Sequence, residues 1–173
     1  MNIELYFLRS SESKIVENML QYAYRLDVLS KTINELPQLK KMSNFYGLTT
    51  KDLGLYALYE NKIAGAVWSR ELDSKIPTIS MAVLPEFQTQ GIGTQIMEQF
   101  LQEAGALYTN IEVNVLKDSK AVDFYKKFGF VEVKNSEQKS LVDENTTITL
   151  SKHLVQKEVI RPKDNYDANY WMD

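Results

Sequence analysis

Residues 83–95 read VLPEFQTQGIGTQ: an apolar strand ends at a proline, and a short polar loop runs into two glycines one residue apart, where a helical pattern begins. Glycine costs backbone entropy, and only seven occur in the 173 residues. Two of them at the mouth of a helix imply that something comes close to the backbone. The N–H groups that open a helix lack intrahelical partners, and the helix dipole adds positive potential there. The stretch reads as a cradle for phosphate or pyrophosphate. On glycine spacing alone, a tight strand-to-helix turn with no ligand explains it as well.

The flanking sequence supplies the elements around this loop. Residues 76–84 (IPTISMAVL) form a strand, with Pro77 at its start because proline has no donor for a central ladder. After the loop, Ile92, Ile96, Met97, Phe100, Leu101 and Ala104 make the apolar face of a helix that Gly105 ends. Residues 109–116 (TNIEVNVL) alternate as a strand with Ile111, Val113 and Val115 on one face, and 119–128 form a short helix stopped by Gly129. Closing strands are expected at 130–133 and 146–150. Upstream, 3–8 (IELYFL) is a first strand, and Ser10, Ser11 and Ser13 are available as caps. Ile15, Met19, Ala23 and Leu26 then recur at helical spacing. A second helical stretch lies within 33–46, interrupted near Pro37. Residues 53–59 and 62–70 read as a hairpin turning at Glu60-Asn61. Strand–helix–strand units in the middle require parallel pairing there, with hairpins toward the ends.

Composition narrows the function. The length suits one domain, or one domain with a tail, and the chain is 44% hydrophobic, enough for a full core. A net charge of −3 without a basic stripe argues against a nucleic-acid-binding face. The absence of cysteine excludes a disulfide scaffold and a thiolate nucleophile or metal site. His153 is the single histidine, which rules out a multi-histidine metal centre within one chain and reads as an ordinary near-surface residue. No run of about 18 apolar residues spans a membrane, and MNIELYFLRS alternates like a strand rather than a signal peptide. A cytoplasmic protein with no metal, no nucleic acid and no membrane partner is expected. Residues 155–173 lose apolar periodicity and read as a tail, either a frayed end or a segment that docks on its own domain or a partner through Tyr166, Tyr170 and Trp171.

Three phosphate-binding patterns can be set against the loop. The Walker pattern needs a lysine that this stretch lacks, and the dinucleotide pattern needs a third glycine where Ile96 stands. Gln88 through Gly93 match the remaining form, Q/R-x-x-G-x-G/A. About 30 residues on, Asp118-Ser119-Lys120-Ala121-Val122-Asp123-Phe124-Tyr125-Lys126-Lys127-Phe128-Gly129-Phe130 follows the form N-x(x)-A-x-x-x-Y-x-x-x-G-F. With both motifs, in this order of elements, the chain resembles the GNAT superfamily of N-acetyltransferases over roughly residues 3–150. Two departures stand out: Thr89 replaces a frequent glycine, and Asp118 or Ser119 replaces an asparagine. Ser119 is favoured as the substitute, because a hydroxyl both donates and accepts.

The resemblance implies an α/β (α+β) fold with a mixed, central, splayed sheet of about six to seven strands flanked by about four helices. It places the domain at 1–154, with 155–173 as a C-terminal tail. It implies acetyl transfer from acetyl-CoA, a co-substrate, to a primary amine of a small molecule or peptide by direct attack. Coenzyme A would be held by Met81, Ala82, Val83, Gln88, Thr89, Gln90, Gly91, Ile92, Gly93, Thr94, Ser119, Ala121, Phe124 and Tyr125. An N–H near Val83 would serve the oxyanion, and Tyr125 would be the acid that protonates the departing thiolate. Glu112 is the first choice of base, Glu71 the second, and a water relay stays open. Tyr22, Tyr24, Tyr46, Trp68 and Arg70 are offered for the acceptor site. Dimerisation is common in the family, and a homodimer stays open. A non-catalytic acyl-CoA-binding or sensing domain, and an interaction protein acting through the tail, are the competing readings.

Overall fold

The computed structural model describes residues 2–155. The short pairing between the fourth and fifth strands divides the sheet into two parts. Strands β1 (Ile3–Phe7), β2 (Leu53–Tyr59), β3 (Lys62–Arg70) and β4 (Thr78–Val83) are neighbours in that order, each antiparallel to the next. The β2–β3 hairpin turns at Glu60 and Asn61, both with positive φ, as a tight hairpin demands. Beyond β4 lie β5 (Asn110–Leu116) and β8 (Thr146–His153), with the two-residue strands β6 (Val131–Glu132) and β7 (Gln138–Lys139) both paired to β8.

The sheet therefore has eight strands rather than six or seven. The extra one is β7, too short and polar to carry a pattern. Five α-helices flank the sheet: α1 (Ser13–Ala23), α2 (Leu26–Leu29), α3 (Pro37–Lys40), α4 (Ile92–Ala104) and α5 (Lys120–Lys127). Two of these, α2 and α3, are single turns. The expected helix within 33–46 breaks into a 3-10 turn, Ile33–Glu35, and α3, with Pro37 at its first turn where its missing N–H costs nothing.

The two faces of the sheet carry separate cores. On one, α4 and α5 cover Ile79, Ile111, Val113 and Val115 through Ile96, Met97, Phe100 and Tyr125. On the other, α1 and the 26–46 segment cover Ala66, Trp68 and Ala82 through Val16, Met19, Leu20 and Met42. Arg70 fastens that second segment. Its Nε donates to Asp52 Oδ1 at 3.0 Å, one Nη reaches the carbonyls of Lys41 and Asn44, and the other donates to Phe45 O. The Trp68 indole donates to Met42 O at 3.1 Å. No helix among the described residues is long and apolar enough to cross a membrane. Apart from Val155, the tail lies outside the described residues.

Candidate active site

Among the described residues the only parallel pair in the sheet is β4 with β5, and it holds at two positions: Thr78 opposite Glu112 and Ile79 opposite Val113. From Ser80 onward β4 remains paired to β3 while β5 remains paired to β8, so the two strands part and leave a slot. Backbone alternation decides what lines it. Leu84 N–H donates to Ala64 O on the β3 side at 2.8 Å, whereas Pro77 O accepts from Glu112 N–H on the β5 side at 2.9 Å. The N–H groups of Met81 and Val83 therefore turn toward the slot. Val83 O faces the same way and accepts from Gln88 Nε2 at 3.1 Å, so Gln88 ties the loop to the strand end.

The loop ends at Gly91, the N-cap of α4, which has φ +78° and no side-chain cap. The N–H groups of Ile92, Gly93 and Thr94 open the helix, and the loop 88–95 contains no lysine or arginine. Within this stretch an anion meets backbone donors and the helix dipole rather than a cationic side chain. A Cβ on Gly91 would meet nothing within 4 Å, which leaves room for a ligand against this residue. Gly93 has a different cause. A Cβ there would lie 2.9 Å from Met81 Cε and 3.9 Å from Phe124 Cε2, so its missing side chain lets α4, β4 and α5 converge. Thr89 adopts φ +65°, an unusual conformation for a β-branched residue and one that explains the glycine common at this position. Gln88, Thr89, Gln90 and Thr94 are exposed, and the side chains of Ala82 and Ile92 are buried. Those two can offer only backbone atoms.

On α5, Tyr125 packs edge-on against Phe124 at 5.2 Å and Phe130 at 5.3 Å. Its ring is buried, yet no buried side-chain oxygen among the described residues is left without a partner, and its hydroxyl has none among those residues. The hydroxyl therefore opens onto accessible space. Burial, and next the phenol of Tyr24, push the Tyr125 pKa well above the ordinary value. It is a protonated donor throughout the neutral range. Ser119 caps α5 only in backbone shape. Its Oγ donates to Leu116 O at 2.8 Å, which leaves the accepting half of the donor-and-acceptor pair expected from sequence. Ala121 and Phe124 are half-buried beside the slot-lining Met81 and Val83 in the same core. Glu112 is half-buried on the opposite face of β5 from Val113, level with the point where the strands part.

The acceptor set read from sequence divides. Tyr46, Trp68 and Arg70 are structural: the first two are 2% and 1% exposed, and the third holds four backbone or carboxylate oxygens. Glu71 is exposed at the far end of β3. Tyr24, at the C-terminal cap of α1, packs against the core of the α1 face, and burial, opposed by Ser80, raises the pKa of its phenol. Ser80 escaped sequence reasoning, since one serine in an apolar strand carries no pattern. So did the 140–145 turn, which Arg25 bridges at Asp143 (3.4 Å) and Lys31 grips at Val142 O. Burial works against the Asp143 carboxylate, but Asn145 and Arg25 outweigh it and hold the pKa low.

A mixed sheet whose two parallel strands part, with an uncapped helix start at the open end, is a fold this chain shares with solved acetyltransferases. The acetyltransferase (GNAT) domain model matches residues 25–143, and the chain belongs to this family. No curated protein matches the chain. Among solved structures it is similar to the ribosomal-protein-S18-alanine N-acetyltransferase of Escherichia coli (TM-score 0.66, 14% identity, 92% of this chain and 98% of that one). A GNAT-family acetyltransferase of Streptococcus pneumoniae is similar too (TM-score 0.65, 17% identity, 88% of this chain and 99% of that one). So is the spermidine/spermine N-acetyltransferase SpeG of Vibrio cholerae (TM-score 0.64, 16% identity, 88% of this chain and 95% of that one).

Proposed function

We propose that the chain transfers the acetyl group of acetyl-CoA to a primary amine of a small molecule or peptide by direct attack. The observation that carries this reading is the two-pair junction of β4 and β5, which opens a slot with the bare start of α4 at its mouth. The amides of Ile92, Gly93 and Thr94 suit a pyrophosphate. Met81 and Val83 present N–H groups where a pantetheine amide or a carbonyl oxygen that gains charge would need donors. Ser119, as acceptor, suits a pantetheine N–H. When bound, acetyl-CoA supplies an activated acyl group, and the chain orients it and manages protons. Tyr125 donates toward the leaving sulfur. Glu112 is the carboxylate positioned to take a proton on the side facing away from α4.

The first test is thermal unfolding with acetyl-CoA, free CoA and NAD. A ligand at about 100 times its Kd adds roughly 2.7 kcal/mol of stability. A shift with acetyl-CoA and none with NAD supports the cradle; no shift at millimolar acetyl-CoA overturns it. Thiol release is then followed with three acceptors: spermidine, phosphinothricin, and a peptide beginning with alanine. These are the acceptor classes named for proteins of similar fold. Acetyl-CoA binding with no turnover on any amine would favour a sensing domain instead.

A further inference from the structure

On the α4–α5 face one core runs under both groups of strands, from Leu55 and Ile79 to Ile111, Val115 and Ile148. The α1 face is built differently. Its core is drawn from α1 to α3 and from β2, β3 and β4, and among the described residues only Val142 joins it from beyond Leu84. Val142 is 5% exposed and sits in the turn 140–145, which leads into β8 on the far side of β5. The turn therefore crosses β5 and the slot to end over β3 and β4. It crosses where the strands have parted. Thr146 O accepts from Lys117 N–H at 3.0 Å, and the register that sets Ile79 opposite Val113 puts Val83 level with Lys117.

Three contacts hold the turn down on the far wall. The Val142 side chain fills the core, Lys31 Nζ donates to Val142 O, and Arg25 Nη2 donates to Asp143 Oδ2 at 3.4 Å. The turn is also braced within itself. Asn145 donates its N–H and its Nδ2 to the Asp143 carboxylate at 2.9 and 3.0 Å, and Val142 N–H donates to Ser140 Oγ at 3.2 Å. A segment braced internally but joined to the opposite wall by few contacts opens as a unit, at less than the cost of global unfolding. The Arg25 and Asp143 side chains are 46% and 14% exposed, so salt reaches the ionic part of the fastening.

We propose that the 140–145 turn is a strap that gates the α1-side opening of the slot, fastened by Val142, Arg25 and Lys31 and released in one piece to admit what enters from that face. The α4–α5 core and the β4–β5 junction stay in place while it moves. The inference goes beyond the acetyltransferase reading and does not depend on it.

The chain has no cysteine, so nitroxides at Asp27→Cys and Glu144→Cys, one on each side of the fastening, are its only labels. Pulsed electron resonance on this parent should give one short, narrow distance. Val142→Asp puts a carboxylate into an apolar core and should remove that population. Arg25→Gln should reduce it, and so should salt at about 1 M, where the Debye length falls to about 3 Å. Hydrogen exchange at the Met81 and Val83 amides then reports whether the slot itself opens. Both substitutions should speed it by about threefold or more. A short distance that survives both substitutions overturns the strap. So does a lengthened distance with unchanged exchange at Met81 and Val83. Arg25→Gln alters an exposed charge and decides the matter if Val142→Asp does not fold. Acetyl-CoA binding is read separately, in the thermal titration above, so either reading can fail without the other.

Discussion

Tyr125 has a packing duty and, in the proposed reaction, a chemical one, and a single oxygen separates them. Its ring is held edge-on by Phe124 and Phe130, contacts that Tyr125→Phe retains. That variant is expected to bind acetyl-CoA as the wild type does while kcat falls by about a hundredfold, measured by thiol release against calorimetric affinity. A collapse of affinity would make the residue structural. Single residues show where sequence reading reaches and where it stops. Gly91, Gly93 and Tyr125 were legible because their roles depend on spacing along one turn or one helix. Trp68 and Arg70 misled, since their partners, Met42 and Asp52, lie 18 to 26 residues away and only folding brings them close. Aromatic and cationic side chains at a strand end look alike whether they await a ligand or clamp a loop. Ser119 was assigned by its chemistry, but the last carbonyl of β5 had already claimed its proton.

Strain in the 88–91 loop has opposite signs at two neighbouring positions. Thr89 and Gly91 both adopt positive φ. A non-glycine residue held there costs of order 1–3 kcal/mol, and glycine's greater freedom in the unfolded chain returns part of that. Thr89→Gly should therefore stabilise by up to about 1 kcal/mol, and Gly91→Ala should destabilise by about 1–2 kcal/mol, both read from urea midpoints. Strand β4 offers a second measurement. The N–H groups of Met81 and Val83 face the slot, whereas that of Leu84 bonds β3. In hydrogen exchange the first two should be the fast sites of β4, and acetyl-CoA should slow them selectively; equal rates along the strand would refute the parted-strand geometry. Elements with a strong period came through from sequence with boundaries shifted by a residue or two, as at Ile92–Ala104 and Asn110–Leu116. The splay of β4 from β5 carries no period at all. It is a property of pairing, and hydropathy does not encode how far a ladder extends.

Across the whole molecule, two features set stability. The Arg70–Asp52 pair is nearly buried, with side chains 11% and 3% exposed. Removing one partner, as in Arg70→Met, strands the other, and should cost about 3 kcal/mol without altering acetyl-CoA affinity beyond the loss of folded protein. Buried phenols set the alkaline limit. Burial, opposed by Ser69, pushes Tyr108 up to about 12, and burial raises Tyr46 and Tyr125 as well. Unfolded phenols ionise near pH 10, so the folded state then binds more protons than the unfolded one. Their contribution is complete below about pH 10 and is lost as pH climbs through the folded values, at about 1.4 kcal/mol per unit for each phenol. Denaturant melts should be level from pH 8 to 9 and fall steeply above 10.

The junction of β4 and β5 has a consequence for the chain as a piece of architecture. Two residue pairs join a four-strand meander, β1 to β4, to a second antiparallel group built around β8. Each group closes its own ladders, and the crossover between them runs through α4 and a short connection at 105–109, where Ala106 is exposed. A cut in that connection severs one covalent bond and no hydrogen-bonded ladder. Fragments 1–106 and 107–173, made separately, should find each other through the α4 core and restore the slot where they meet. The reaction site would then double as a reporter of whether two halves have joined.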